Sequence, residues 1–233
     1  MNKLIFVIAI MFMGSIFTPH AYAGNPDRQG EAGAYELLLN PWARAAGLNG
    51  LVVSSITGVE AMRFNPAGIG RLYGSTEVNI AHTQYMVGTG LSLTAGGLAQ
   101  KIGKNGAIGL TLMSMGFGDI PLTTTNQPMG ITTFSPSFFN IGVGYSHIFR
   151  DKDGNEKISI GLAVRIVSES LTNASAMGAA FDAGVQYVTG NNKQIKFGIA
   201  LRNIGTKMKF SGDGLAFVGM APNGTTPLSV EER

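Results

Sequence analysis

The chain has 233 residues, 45% of them hydrophobic and 13% charged, with a formal net charge of +3 that includes Lys3. The charged share is about half that of an ordinary soluble domain, and no Lys/Arg cluster is interleaved with aromatics, so nucleic acid is excluded as a partner class. Cysteine is absent, which removes both a disulfide framework and thiol chemistry.

The N-terminus, MNKLIFVIAIMFMGSIFTPHAYAG, sets Lys3 ahead of an apolar run from Leu4 to Phe17 and Ala21-Tyr22-Ala23 before Gly24. This is the pattern of a cleaved export signal over 1–23, the apolar run falling short of the roughly 20 residues of a bilayer span. Residues 24–74 show no clean strand alternation and contain short helical-looking pieces. They are read as a compact segment, periplasmic or filling a barrel lumen, ahead of the first strand. Within it, VEAMRFNPAGIG carries a turn at Asn65, Pro66, Ala67 and Gly68. Pro66 fixes its own φ and pushes Asn65 out of the helical region, Asn65 can bond local backbone, and Gly68 can take positive φ. Two readings stay open: a rigid turn with a fixed path of its own, or an ordinary helix start with Asn65 as N-cap and Pro66 in the first position.

From Thr76 the dominant signal is period-2 alternation, which sends successive side chains to opposite faces of a sheet. In KISIGLAVRIVSES the even positions from Ile158 to Ile166 are apolar, while Ser159, Gly161, Ala163, Arg165 and Glu169 are small or charged. The same division recurs around Ile141, Phe181 and Ile199. It predicts strands at about 76–86, 89–100, 106–117, 137–149, 157–170, 177–189 and 194–204. KIGKNG, RDKDGNEK and TGNNK read as compact turns, whereas DIPLTTTNQPMGITTF and residues 205–233 read as long loops. Short turns on one side and longer loops on the other are the asymmetry of an outer-membrane β-barrel. Tyr85, Tyr145, Phe149 and Tyr187 are placed to form aromatic girdles. A soluble β-sandwich also alternates, but here the non-apolar face is mostly Gly, Ala and Ser rather than charged.

The inner face carries Arg165, Glu169, Asp182, Lys196 and Arg202, read either as a charged lumen lining or as the wet side of a barrel wall with internal ion pairs. Asp151, Asp153, Gly154 and Asn155 brush the calcium-loop pattern, but its twelfth position falls on Leu162, where a bidentate Glu is required. That stretch is therefore a hairpin turn. His82 and His147 lack partner ligands at metal spacing, and no nucleophile–base arrangement stands out. The expectation is a non-enzymatic protein with no catalytic residues, cofactor or metal.

LLLNPWARAAGLNG, GVEAMRFNPAGIG, the matched alternating hairpins and the Asn-x-Gly-x-x-Met element at Asn203, Gly205 and Met208 together resemble the PorV/PorQ family of outer-membrane proteins, a branch of the FadL-like barrels. The resemblance implies an all-β fold, a transmembrane antiparallel β-barrel with an N-terminal plug over 24–74, strands over 75–204, and Asn65 to Gly68 as the plug turn. It implies the bacterial outer membrane, contact with its lipid, and a role in type IX secretion, with secretion components or exported cargo proteins as partners. The chain holds fewer strands than that family's barrel and ends in the polar NGTTPLSVEER, so a truncated, incomplete barrel is expected. The alternative function is FadL-like transport of hydrophobic small molecules. N-terminal sequencing of the purified mature protein should find its first residue at or near Gly24; an N-terminus still carrying Leu4 to Phe17 would overturn the cleaved-signal reading.

Overall fold

Alternation over the second part of the chain produces one large antiparallel sheet. A computed structural model describes residues 33–124, 127–215, 217–220 and 227–230; the expected signal over 1–23, and the residues up to 32, lie outside the described residues. The strands are β1 (Thr76–Gln84), β2 (Leu91–Ile102), β3 (Gly106–Phe117), β4 (Ile120–Thr124), β5 (Gln127–Phe134), β6 (Ser137–Arg150), β7 (Glu156–Ser170), β8 (Ser175–Thr189), β9 (Ile195–Gly205), β10 (Phe217–Met220) and β11 (Pro227–Val230). Seven form the main sheet in the order β1-β2-β3-β6-β7-β8-β9, while β4-β5 and β10-β11 are separate hairpins. Each strand of the main sheet pairs with its antiparallel neighbours, and β1 and β9 are its edges, so the described residues make an open sheet, not a closed barrel.

Two sequence expectations need correction. The stretch after Phe117, expected as a loop, folds into the β4-β5 hairpin, with its register shifting between Leu122 and Thr124. Its β-branched Thr and Ile residues favour extended backbone, a signal hidden by the surrounding Gly and Pro. Residues 205–233 likewise contain the β10-β11 hairpin. The asymmetry between short turns and long loops is narrower than expected: β1-β2 and β7-β8 are also joined by short connections, and the β4-β5 excursion carries most of the difference.

Register shows how the two faces divide. Leu98, Leu110, Val143, Val164, Phe181 and Ile204 are successive cross-strand partners from β2 to β9. They form an apolar row across the sheet, every member between 39% and 58% exposed. The parallel row on the opposite face runs Lys101, Ala107, Ser146, Gly161, Gly184 and Ala200. Large apolar side chains therefore stand on the open face and small ones on the covered face, the reverse of a soluble sheet. A contiguous apolar surface of this kind marks a face that another apolar body covers.

Residues 33–74 lie against the small-residue face. They contain 3-10 turns at Tyr35–Leu38, Gly58–Glu60 and Pro66–Gly70 and two short helices, α1 (Ala43–Gly47) and α2 (Ala61–Phe64). Their large side chains, among them Trp42, Ile56, Met62 and Ile69, share a core with Leu93, Met113, Met115, Phe138 and Val167 of the sheet, whose Ala95, Ala99, Ala107 and Ala163 leave room for them. Tyr85, expected in an outer girdle, packs inward against this core instead. Tyr145, Phe149 and Tyr187 do face outward, and Tyr187 stacks on Phe197 at 6.4 Å between ring centroids.

The fit at the crossing is close enough to require glycine. A Cβ on Gly161 would collide with the backbone of Pro66 and Ala67, and one on Gly184 with the Asn65 side chain. Gly96, on the apolar face, has nothing nearer than the Asn79 carbonyl oxygen at 4.0 Å. Gly161→Ala should therefore lower stability by about 1–3 kcal/mol, as overpacking does, while Gly96→Ala changes it little. Urea unfolding midpoints of the two variants compare them directly, and equal midpoints would mean the segment does not sit on the sheet as described.

Candidate functional site

The residues with the most specific geometry lie where the N-terminal segment crosses β7, β8 and β9. α2 ends at Asn65, whose extended backbone, φ −160° and ψ 102°, is the conformation that a following proline enforces. Asn65 Oδ1 accepts from Ala67 N at 3.1 Å, so Asn65 is the N-cap of the Pro66–Gly70 turn, as the helix-start reading expects. The same side chain does more than cap. Its Nδ2 donates to the carbonyl oxygens of Val53 at 2.9 Å, Val185 at 3.1 Å and Ile199 at 3.4 Å, tying the turn to its own segment and to β8 and β9. Asn65, Pro66, Ala67 and Gly68 are all buried. Gln186 of β8 makes a second tie, with Nε2 donating to Val53 O at 3.1 Å and Ile56 O at 2.9 Å.

Charge forms the third tie. Arg165 of β7 is almost wholly buried and pairs with Asp182 of β8: its Nε donates to Asp182 Oδ2 at 2.6 Å, and its Nη2 lies 2.6 Å from the same oxygen. Arg165 Nη2 also donates to the Met62 carbonyl oxygen in α2. The other Asp182 oxygen accepts from Asn203 N at 2.6 Å. That bond falls where the β8-β9 register slips between Phe181 and Ala183, and Asn203 has φ +57°. Arg202 stays exposed at its outer end but donates to the Arg63 carbonyl oxygen at 3.1 Å, with its guanidinium 5.7 Å from the Phe64 ring centre. Arg63 in turn donates to the carbonyl oxygens of Glu36 and Leu39.

Of the five charged residues expected on this face, Arg165, Asp182 and Arg202 come together in one network with the segment. Glu169 is half-buried against the side chain of Glu36, whose backbone carbonyl oxygen accepts from Arg63, so it borders the network without bonding to Arg165, Asp182 or Arg202. Lys196 shares the face of Gly198 but is exposed, with no described side-chain contact to the segment. Arg63, Gln186, Thr111 and Asn140 were not among the expected residues. All four are buried, and only the inward strand phase of Gln186, Thr111 and Asn140 pointed to them. The Asn-x-Gly-x-x-Met element has a structural part: Asn203 serves the bulge, and Met208 is buried over Gly178, where a Cβ would stand 2.7 Å from Met208 Cγ.

The calcium-like stretch is a hairpin turn. Asp151 Oδ1 accepts from Asp153 N at 3.0 Å and from Asn155 N at 2.8 Å, and Gly154 has φ +80°. These bonds, the Asn155 N–H foremost, together with Lys157 hold the Asp151 carboxyl below the usual carboxylate range. His82 Nδ1 sits 2.8 Å from Thr94 Oγ1, and His147 packs edge-on to Phe149 at 4.9 Å. Among the described residues no group of three His, Asp or Glu side chains is placed to hold a metal.

No family model matches the chain, and no curated protein matches it significantly.

Removing one member of the buried ion pair strands the other charge, so Asp182→Leu should destabilise by about 3–5 kcal/mol, whereas the double variant Arg165→Met/Asp182→Leu should recover a large part of that loss. Equilibrium urea unfolding measures both. A single variant no weaker than the double would mean that the pair is solvated.

Proposed function

We propose that this chain belongs to an outer-membrane β-barrel whose N-terminal segment plugs the lumen, and that it is a non-enzymatic protein of PorV/PorQ type acting as an adaptor or shuttle in type IX secretion. The observation that carries the reading is the inverted burial across the sheet, with the apolar row on the open face and the small and charged residues on the face that the segment covers. Lipid is the environment that suits such a face. Strands of 11 to 15 residues from β6 to β9 reach or exceed the roughly 9–11 that cross a membrane when tilted. In this reading the free edges of β1 and β9 are paired by further strands, because unpaired backbone is not tolerated in hydrocarbon.

The mechanism that suits the geometry is docking. The segment is tied to β7, β8 and β9 by the Asn65 amide, Gln186 and the Arg165–Asp182 pair, which favours a closed lumen. The β4-β5 hairpin leaves the sheet at the end opposite the compact turns and offers exposed side chains, Met129 among them at 96%, to a secretion component or an exported cargo protein. A FadL-like transporter would have to break the same ties to open a path for a hydrophobic solute.

The test is the double variant Asn65→Leu/Pro66→Ala, which removes the amide ties and frees φ without touching strand alternation. It should insert into the outer membrane with normal heat-modifiable mobility while cargo secretion falls severalfold and liposome swelling rises. Normal cargo secretion combined with altered uptake of hydrophobic solutes would replace the secretion role with transport. Recovery of the wild type as a soluble periplasmic protein would sink the barrel itself.

A further inference from the structure

A second feature lies beside the ion pair, on the side toward β3 and β6. There a cavity of about 20 Å³ is lined by Pro41, Trp42, Arg63, Thr111, Asn140 and Arg165, with Ala95 and Met113 also in its wall. That volume admits one water-sized body. Thr111 and Asn140 are at least nine-tenths buried, as are Arg63 and Arg165. Two polar atoms in this wall, Thr111 Oγ1 and Asn140 Nδ2, have no hydrogen-bond partner among the described residues. An unpartnered buried polar group carries a substantial desolvation penalty, so the pair calls for an occupant.

The chemistry of the wall selects it. Asn140 Nδ2 can only donate, Thr111 can donate through its hydroxyl hydrogen, and both guanidinium groups are donors without acceptor capacity. The charge in the wall points the same way: it holds two guanidinium groups, Arg63 and Arg165, and the neighbouring carboxylate is Asp182. Asp182 is engaged by Arg165 and by Asn203 N, and Arg63 forms no ion pair among the described residues, its Nη2 donating to carbonyl oxygens. Register brings Thr111 and Arg165 together over a glycine. Thr111 and Arg165 are the cross-strand partners of Gly142 on either side, and a Cβ on Gly142 would stand 3.2 Å from Thr111 Oγ1 and 3.3 Å from Arg165 Cγ.

We infer that this cavity is a binding site for one small monovalent anion of halide size, held by Asn140, Thr111 and the two arginines, which locks the N-terminal segment onto β3, β6 and β7. A water molecule would satisfy the orphaned donors but leave the excess positive charge. A polyatomic anion such as phosphate or sulfate is too large for the volume.

The experiment uses the whole protein purified in detergent. Crystals grown in sodium bromide should show an anomalous peak within hydrogen-bond distance of Asn140 Nδ2 and Thr111 Oγ1. At constant ionic strength, exchanging gluconate for 100 mM chloride should raise the thermal midpoint by about 3–6 °C, the shift expected for a ligand that binds only the folded state with a dissociation constant of about 10 mM. Thr111→Val, nearly isosteric and without the donor, should lose most of that shift while keeping the gluconate midpoint close to wild type, and Asn140→Leu should lose it as well. An identical midpoint in chloride and gluconate, or ordered water with no anomalous signal at the site, would overturn the proposal.

Discussion

The structure depends on a steric constraint: the backbone of Pro66 and Ala67 passes so close to the sheet that β7 and β8 must present hydrogen atoms in place of side chains at Gly161 and Gly184. The two glycines are direct cross-strand partners, so together they open one gap, and Ala107, Ser146 and Ala200 extend it along the same row. Several other features follow. Along this row the sheet offers no bulk of its own, and the volume there has to come from the segment that lies on it, while Phe138, Leu93, Met113 and Met115 fill the covered face elsewhere. Trp42, Ile56, Val59, Met62 and Ile69 supply the segment's share. The segment and the covered face of the sheet thereby make one core between them.

Close approach alone leaves the segment free to slide, because contacts between small residues and backbone are weakly directional. The polar ties remove that freedom. Asn65 and Gln186 both donate to Val53 O, at 2.9 Å and 3.1 Å, so a single carbonyl of the segment is gripped from two directions. Arg165 spans from Asp182 to Met62, and Arg202 reaches Arg63. Burying these charges and amides adds little net stability, since their desolvation offsets much of the attraction. What they supply here is register: only one placement of the segment satisfies Asn65, Gln186 and Arg165 together.

The sheet was readable from the sequence because a period of 2 survives any context that covers one face. The predicted strand at 106–117 coincides with β3, and those at 137–149 and 157–170 fall within one residue of β6 and β7 at each end. The division of Ile160, Leu162 and Val164 from Ser159, Ala163 and Arg165 matches the exposed and buried faces. The candidate site was only partly readable. Asn65 and Pro66 carry local signals, a cap and a fixed φ, that need no tertiary information. Arg165 and Asp182 could be put on one face by phase, but that they pair depends on the β7-β8 register, which sets Ala163 opposite Asp182 and Arg165 opposite Ala180, a diagonal relation across the ladder. Arg63 was out of reach, since a single arginine in an irregular segment has no period to place it. Tyr85 was misassigned although its phase was legible: it follows Glu77, Asn79, Ala81 and Thr83 on the covered side of β1, opposite Val78 and Ile80.

Inverted burial also bears on how the two parts of the chain specify one another. In a soluble sheet the apolar phase selects the core face, and a one-residue slip is penalised because it exposes that face to water. Here the apolar row already stands on the open face, so burial in the core cannot enforce its phase. The penalty for a slip comes from the other side, where moving β7 by one residue would bring Ile160 or Leu162 to the place of Gly161, directly against Pro66 and Ala67, and would turn Arg165 away from Asp182 onto the apolar face. The segment thus discriminates against the wrong phase by exclusion, while the outward side chains only have to be apolar. That separation of roles accounts for the composition of the strands. Outward positions along β7 run Ile158, Ile160, Leu162, Val164 and Ile166, whereas the inward positions closest to the Asn65–Gly70 turn, Gly144, Ser146, Gly161 and Gly184, are small, with Ile148 packed beside Gly70.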